Sequence, residues 1–242
     1  MRTVLVTNVK QYAGPGALAA LLEQGNRVIC HDASFAAQEA RFVFEREWPG
    51  AMALAAASPD DLFEEVRSRH GLPDAVVLNA VHPITPCTIE EVPREEFLST
   101  FEAVLWTPVR LAQLFLPGMK ARRSGSFVFV TSARERRPEP GYAVPTTLRA
   151  SATAFAKALA VEAAPFGIQS NVVAPNYLES EMYYPAARFV HDPAGRALIQ
   201  SLIPAGRLGR QDEVGALIAF LASGTSPFTT GQVIHFAGGW AV

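Results

Sequence analysis

The sequence has only two cysteines in 242 residues, Cys30 and Cys87. That is too few for a disulfide framework or for a zinc site built on paired thiolates, and it suits a reducing compartment. Charge of either sign is also scarce in excess: Lys and Arg number 21, Asp and Glu 23, and the net charge is −2. A basic footprint for nucleic acid is therefore not expected. The longest basic run, RERR from Arg134 to Arg137, reads as a solvated loop. No uncharged apolar run reaches the roughly 18 residues that span a bilayer. The opening MRTVLVTNV has one basic residue and an apolar stretch of strand length, so it reads as a strand and not as a signal peptide. Repeats, low-complexity tracts and interdomain linkers are missing too. These absences leave a single cytoplasmic globular domain over residues 1–242, with neither membrane nor nucleic acid as partner.

What is present is a 49% apolar chain in which short hydrophobic runs alternate with longer segments of helical period. Strands are expected at 2–7, 27–31, 74–79, 126–131, 168–173 and 232–236, and helices at 14–24, 34–48, 59–69, 94–121, 145–165 and 211–223. Strands that are apolar almost throughout are buried on both faces, as in a parallel sheet covered by helices. The fold class is therefore α/β, a doubly wound Rossmann-type parallel sheet in one domain. The stretch 175–206 holds Pro175, Pro185, Pro193 and Pro204 and reads as an irregular lid over the C-terminal strand ends. Leu148, Ala152, Phe155, Ala156, Leu159 and Ala163 form one apolar stripe on the helix at 145–165. Small residues there and along 94–121 would let two copies pack, so a homodimer or homotetramer is expected.

Five features follow one another in a fixed order. They are the turn TNVKQYAGPG (Thr7 to Gly16), Asp32, Asn79, Ser132 and Arg149. Together with the segment from Gly206 to Trp240, this order resembles the short-chain dehydrogenase/reductase superfamily over essentially the whole chain. Three features depart from its hydride-transferring members. Asn8 and Tyr12 stand where those members carry glycine, Arg149 where they carry lysine, and Pro175 to Leu178 (PNYL) where they carry Pro-Gly. All three departures bear on the nicotinamide end of the site. One branch resembles the chain in each of them, and in Cys30 to Asp32 (CHD): the halohydrin dehalogenases. The resemblance implies an enzyme without a nicotinamide cofactor that converts vicinal halohydrins to epoxide plus halide. It implies further that Tyr12, Pro175, Asn176, Tyr177 and Leu178 line a halide nest, where backbone N–H groups can cradle an anion.

In that family a phenolate removes the substrate hydroxyl proton, serine holds the substrate oxygen and arginine lowers the tyrosine pKa. Bringing a phenol from ~10 to ~7.5 takes about 3.4 kcal/mol. One cation about 4 Å away supplies roughly 4 kcal/mol at an effective dielectric of 20, before desolvation. By resemblance Ser132 and Arg149 fill two of the roles. The third position, counted from either of them, is Pro145, which has no acid–base group. The nearest phenol is Tyr142, with a Tyr–x6–Arg spacing that resembles the enoyl-acyl-carrier-protein reductases. Pro145 suits the first turn of a helix beginning near 144–145, which leaves Tyr142 in the entering loop. On a continuous helix the two Cα atoms would stand about 10.5 Å apart, so Tyr142 can serve as base only if the chain bends through Gly141. The catalytic set expected is Ser132, Tyr142 and Arg149. Two alternatives stay open. One is an NAD- or NADP-dependent reductase, for which Asp32 could bind the adenosine ribose. The other is a silent family member that kept the fold and lost the base. No metal is expected in any of these readings.

Overall fold

The apolar runs become seven parallel strands in one sheet of order β3-β2-β1-β4-β5-β6-β7. This is seen in a computed structural model that describes residues 1–241. The strands are β1 (Thr3–Val6), β2 (Arg27–His31), β3 (Ala51–Leu54), β4 (Ala75–Asn79), β5 (Gly125–Val130), β6 (Ile168–Pro175) and β7 (Val233–Phe236). Side chains alternate across the sheet. Val4, Val6, Val28 and Val77 enter one apolar core, while Leu5, Ile29, Val76 and Phe127 enter the other.

Helices α1 (Gly14–Glu23), α2 (Gln38–Glu47) and α8 (Gln211–Ala222) cover the first face, and α3 (Pro59–His70), α5 (Thr107–Arg122) and α6 (Ala143–Ala163) the second. The caps follow from sequence. Ser58 accepts a hydrogen bond from the Asp61 amide with Pro59 in the first turn of α3, and Gly71, at φ 76°, follows its last residue. Where α1 crosses α8 the backbones touch. A Cβ on Gly16 would lie 2.1 Å from the Gln211 carbonyl oxygen, and one on Gly215 would lie 2.1 Å from that of Gly16.

The structure corrects the sequence reading in four places. A short edge strand, β3, lies beside β2; its AMAL sequence is too short and alanine-rich to announce a strand. The long helix expected over 94–121 is α4 (Arg94–Phe101), a π-helical turn over Glu102–Trp106 and then α5. Pro108 explains the break, because it offers no N–H to the preceding turn and its ring crowds the carbonyl four residues back. The segment 34–48 opens with a tight turn over Ala33–Ala36 before α2, because Asp32 caps the Ser34 amide. The lid is not wholly irregular: it carries a π-helical turn over Ala187–His191 and α7 (Pro193–Leu202), which starts at the Asp192 cap. No described helix is long and apolar enough to cross a membrane.

Candidate active site

The turn after β1 is held in an unusual backbone conformation. Asn8 and Tyr12 have φ of 47° and 52°, and Tyr177 after β6 has 56°. For a bulky side chain this left-handed region is an outlier, and such strain persists only where surrounding contacts hold it. Here they do. The Asn8 side-chain amide donates to the Asn79 carbonyl at 2.8 Å, and the Asn79 amide donates back to the carbonyls of Asn8 at 3.0 Å and Gln11 at 2.8 Å. The Gln211 amide donates to the Tyr12 carbonyl at 2.7 Å. The Tyr12 ring is thereby driven into the protein, 7% exposed. Its hydroxyl donates to the Pro175 carbonyl at 3.4 Å, and its ring meets Tyr183 edge-on with centroids 5.1 Å apart. Burial pushes the Tyr12 phenol well above its ordinary value, so it stays neutral.

Ser132 follows β5, its hydroxyl oxygen accepting from the Arg134 amide at 3.2 Å and its hydrogen left free to donate. Arg149 reaches in from α6 and is 5% exposed. Its guanidinium donates to the carbonyls of Thr131 at 3.1 Å and Ala80 at 3.2 Å, and to the Tyr183 hydroxyl at 3.4 Å. Among the described residues no carboxylate stands within ion-pair distance of it. Asn176 is 4% exposed; its Oδ1 accepts from the Tyr184 hydroxyl at 3.4 Å while its Nδ2 finds no partner among the described residues. A buried donor left unsatisfied costs about 1–3 kcal/mol, which makes Asn176 Nδ2 a natural contact for a bound acceptor.

Ser132, Arg149, Tyr12 and Asn176 thus come together around one small cavity, joined by Ile84, Arg134, Tyr183 and Tyr184. The cavity holds about 20 Å³, room for one water-sized particle. Other expected residues lie elsewhere. Pro175 contributes its carbonyl to Tyr12, and Leu178 is fully buried in the core. Tyr177 packs against Tyr184 and Trp240 and donates to the Glu139 carboxylate at 3.0 Å, so its phenol turns away from the cavity.

Tyr142 is also placed differently from expectation. It precedes α6 with φ −121° and ψ 26°, outside the helix as foreseen. Its ring, however, lies under the Arg134 guanidinium, 4.1 Å from carbon to centroid, and is not among the partners of Arg149. The bend at Gly141 (φ 82°) therefore delivers Tyr142 to the other arginine. Arg134 itself corrects the solvated reading of RERR. It pairs with Glu139 at 2.6 Å and donates to the Tyr184 hydroxyl at 3.1 Å, because the tight turn over Ala133–Glu135 folds it back over Ser132. Its position two residues beyond the serine was the available signal. Tyr183 and Tyr184 gave none beyond being adjacent phenols in the lid.

Asp32, the candidate ribose acid, is 3% exposed. Its oxygens accept from the Ser34 amide at 3.0 Å, the Ser34 hydroxyl at 2.8 Å and the Lys10 amide at 3.3 Å. Among the described residues no His, Cys, Asp and Glu cluster suits a metal.

A family profile described as enoyl-(acyl carrier protein) reductase matches residues 14–241. The chain belongs to the short-chain dehydrogenase/reductase superfamily. Within this superfamily its likenesses divide. The 3-oxoacyl-(acyl-carrier-protein) reductase of Escherichia coli is 33% identical over 184 residues, which is 76% of this chain and 72% of that protein. In three dimensions a halohydrin dehalogenase bound to ethyl (2S)-oxiran-2-ylacetate superposes with a TM-score of 0.96 at 35% identity, covering 99% of this chain and 97% of that one. A structure described as a dehalogenation enzyme gives 0.95 at 40% identity, covering 99% and 98%.

Proposed function

We propose that the chain is a halohydrin dehalogenase-type lyase, which closes a vicinal halohydrin to an epoxide and releases halide. The observation that carries this reading is Tyr12: a phenol ring, held at positive φ, fills the position where hydride-transferring relatives carry glycine. Likeness to two dehalogenation enzymes at 35% and 40% identity supports it. The chemistry is an internal displacement. Ser132 donates its hydroxyl to the substrate oxygen, the proton of the substrate hydroxyl is removed, and the oxygen pair attacks the adjacent carbon. Halide leaves with the bonding pair into the space between Tyr12 and Asn176 Nδ2. Arg149 supplies a fixed positive charge, since a guanidinium stays protonated throughout. A cavity of about 20 Å³ takes the halide but not the carbon skeleton, so the lid bearing Tyr183 and Tyr184 opens to admit substrate.

The residues present do not fit a nicotinamide dinucleotide. By resemblance the Tyr12 ring takes the place where hydride-transferring relatives hold nicotinamide, and the Asp32 oxygens that would take ribose hydroxyls are bonded internally. Reductase chemistry remains the second reading, favoured by the sequence likeness to 3-oxoacyl reductases. The two free cysteines suit a reducing compartment, and we place the enzyme in the cytoplasm. The test is halide release from ethylene chlorohydrin by the purified chain, beside a calorimetric titration with NADH and NADPH. Release without cofactor is expected. Micromolar binding of a full equivalent of either nucleotide, with no halide released, would overturn the proposal in favour of the reductase.

A further inference from the structure

Pro145 removes the phenol that the family places between serine and arginine, yet Arg149 is still buried at the site, and among the described residues no carboxylate neutralises it. A desolvated cation that answers only to carbonyls and a hydroxyl favours an anion forming beside it. The sequence holds five tyrosines, so the question of which one forms that anion can be put to each.

Tyr12 is held neutral by burial, and among the described residues no N–H donor reaches its hydroxyl. Burial opposes ionisation of Tyr177, and the negative charge of the Glu139 carboxylate it donates to opposes it further. Tyr184 sits on Arg134 and is pushed up to about 12, chiefly by burial. Tyr142 stacks under Arg134, whose charge is already engaged by Glu139 at 2.6 Å. Tyr183 alone has its hydroxyl on Arg149, at 3.4 Å. That oxygen also accepts from the His82 amide at 3.3 Å and donates to the His82 carbonyl at 2.7 Å. Two N–H donors already point at the atom that would carry negative charge. The ring is fixed as well. Ser180 and Tyr184 exchange backbone hydrogen bonds of 3.2 Å and 2.9 Å, closing a tight turn that presents Tyr183, and Tyr12 packs edge-on against it.

We infer that Tyr183, carried by the lid, is the general base that replaces the phenol lost at Pro145. The inference rests on the halohydrin reading and deepens it: the tyrosine–arginine pair is rebuilt on Arg149 from another element. Tyr183 as phenolate takes the proton of the substrate hydroxyl. The freed oxygen pair forms the new carbon–oxygen bond, the carbon–halogen bond breaks, and halide departs with its electrons. Tyr183 then returns its proton to water when the lid opens.

The experiment measures halide release from ethylene chlorohydrin by wild type, Tyr183→Phe, Tyr142→Phe and Pro145→Tyr/Tyr183→Phe, with thermal melting of each. Phenylalanine keeps the ring against Tyr12 and removes only the oxygen. Tyr183→Phe is expected to lower kcat by about 10²–10⁴-fold with KM changed far less. The double variant is expected to recover release, since it returns a phenol to the family position beside Ser132 and Arg149; loss of packing alone would not be rescued there. Wild-type kcat in Tyr183→Phe, or a loss seen instead in Tyr142→Phe, would overturn the assignment while leaving the dehalogenase reading standing. A loss that the double variant does not repair, with a lowered melting temperature, would make Tyr183 structural. A wild type that releases no halide while Pro145→Tyr does would overturn both.

Discussion

At the residue scale the site depends on side chains held against their own preferences. Tyr12 at φ 52° is strained as backbone and favourable as packing. Tyr12→Gly should relieve the backbone and empty the ring's place. Bromide affinity, followed by calorimetry, should then fall at least about 10-fold, equivalent to about 1.4 kcal/mol. Arg149 gives a second contrast. Arg149→Met leaves the Thr131 and Ala80 carbonyls unpaired, at about 1–3 kcal/mol for each buried acceptor. Arg149→Lys keeps the charge but not the planar fork. Turnover should fall in both and further in methionine, and denaturant melts should show methionine the less stable. Ser132, Arg149, Tyr12 and Asn176 could be named from the sequence because the resemblance assigns each a place, and the structure brings them around one cavity. Arg134 and Tyr183 could not. Their places are set by a tight turn and a lid whose path is fixed by tertiary contacts, which no local pattern records.

At the element scale the start of α6 decides what Tyr142 can do. Pro145 stands third in that helix, where its missing N–H is among those without an intrahelical partner. The sequence located this boundary to within two residues. It could not say which arginine the preceding loop would meet, since Gly141 permits a wide range of paths. The start of α8 offers a cleaner test. Glu213 accepts from the Arg210 amide at 2.9 Å and pairs with Arg207 at 2.7 Å. The Arg207 side chain, then the Arg210 amide, hold its carboxyl down to about 2. A depressed carboxylate stabilises the fold above its unfolded value near 4.3 and loses that contribution as pH falls toward about 2. Glu213→Gln should therefore lower stability at neutral pH and flatten its fall between about pH 4 and pH 2, as read from urea midpoints across that range. Element order was legible because strands buried on both faces are distinctive. The four-residue β3 and the register shift before Pro108 were not, because one lacks length and the other depends on a single missing N–H.

At the scale of the whole molecule, apolar side chains remain outside on the elements expected to pair. Phe97, Leu98 and Trp106 are 39%, 42% and 39% exposed, and Val161 on α6 is 77% exposed. Burying them against a second copy would take these apolar side chains out of water. Sedimentation should show a dimer or tetramer at micromolar concentration, and Trp106→Glu with Val161→Glu should shift it toward monomer; a wild-type monomer would refute the surface. The meeting of α1 and α8 has another consequence, which concerns time. Gln211 lies 199 residues after the Tyr12 carbonyl it binds, and its Oε1 accepts from the Gly16 amide at 3.0 Å. A growing chain can pair its first strands early, and Asn79 can then hold the Asn8 and Gln11 carbonyls, but the Tyr12 carbonyl itself has no clamp until α8 leaves the ribosome. The first segment made is thus finished only near the end of synthesis, and a polypeptide halted before Gln211 would hold Ser132, Arg149 and Tyr183 without a finished anion seat.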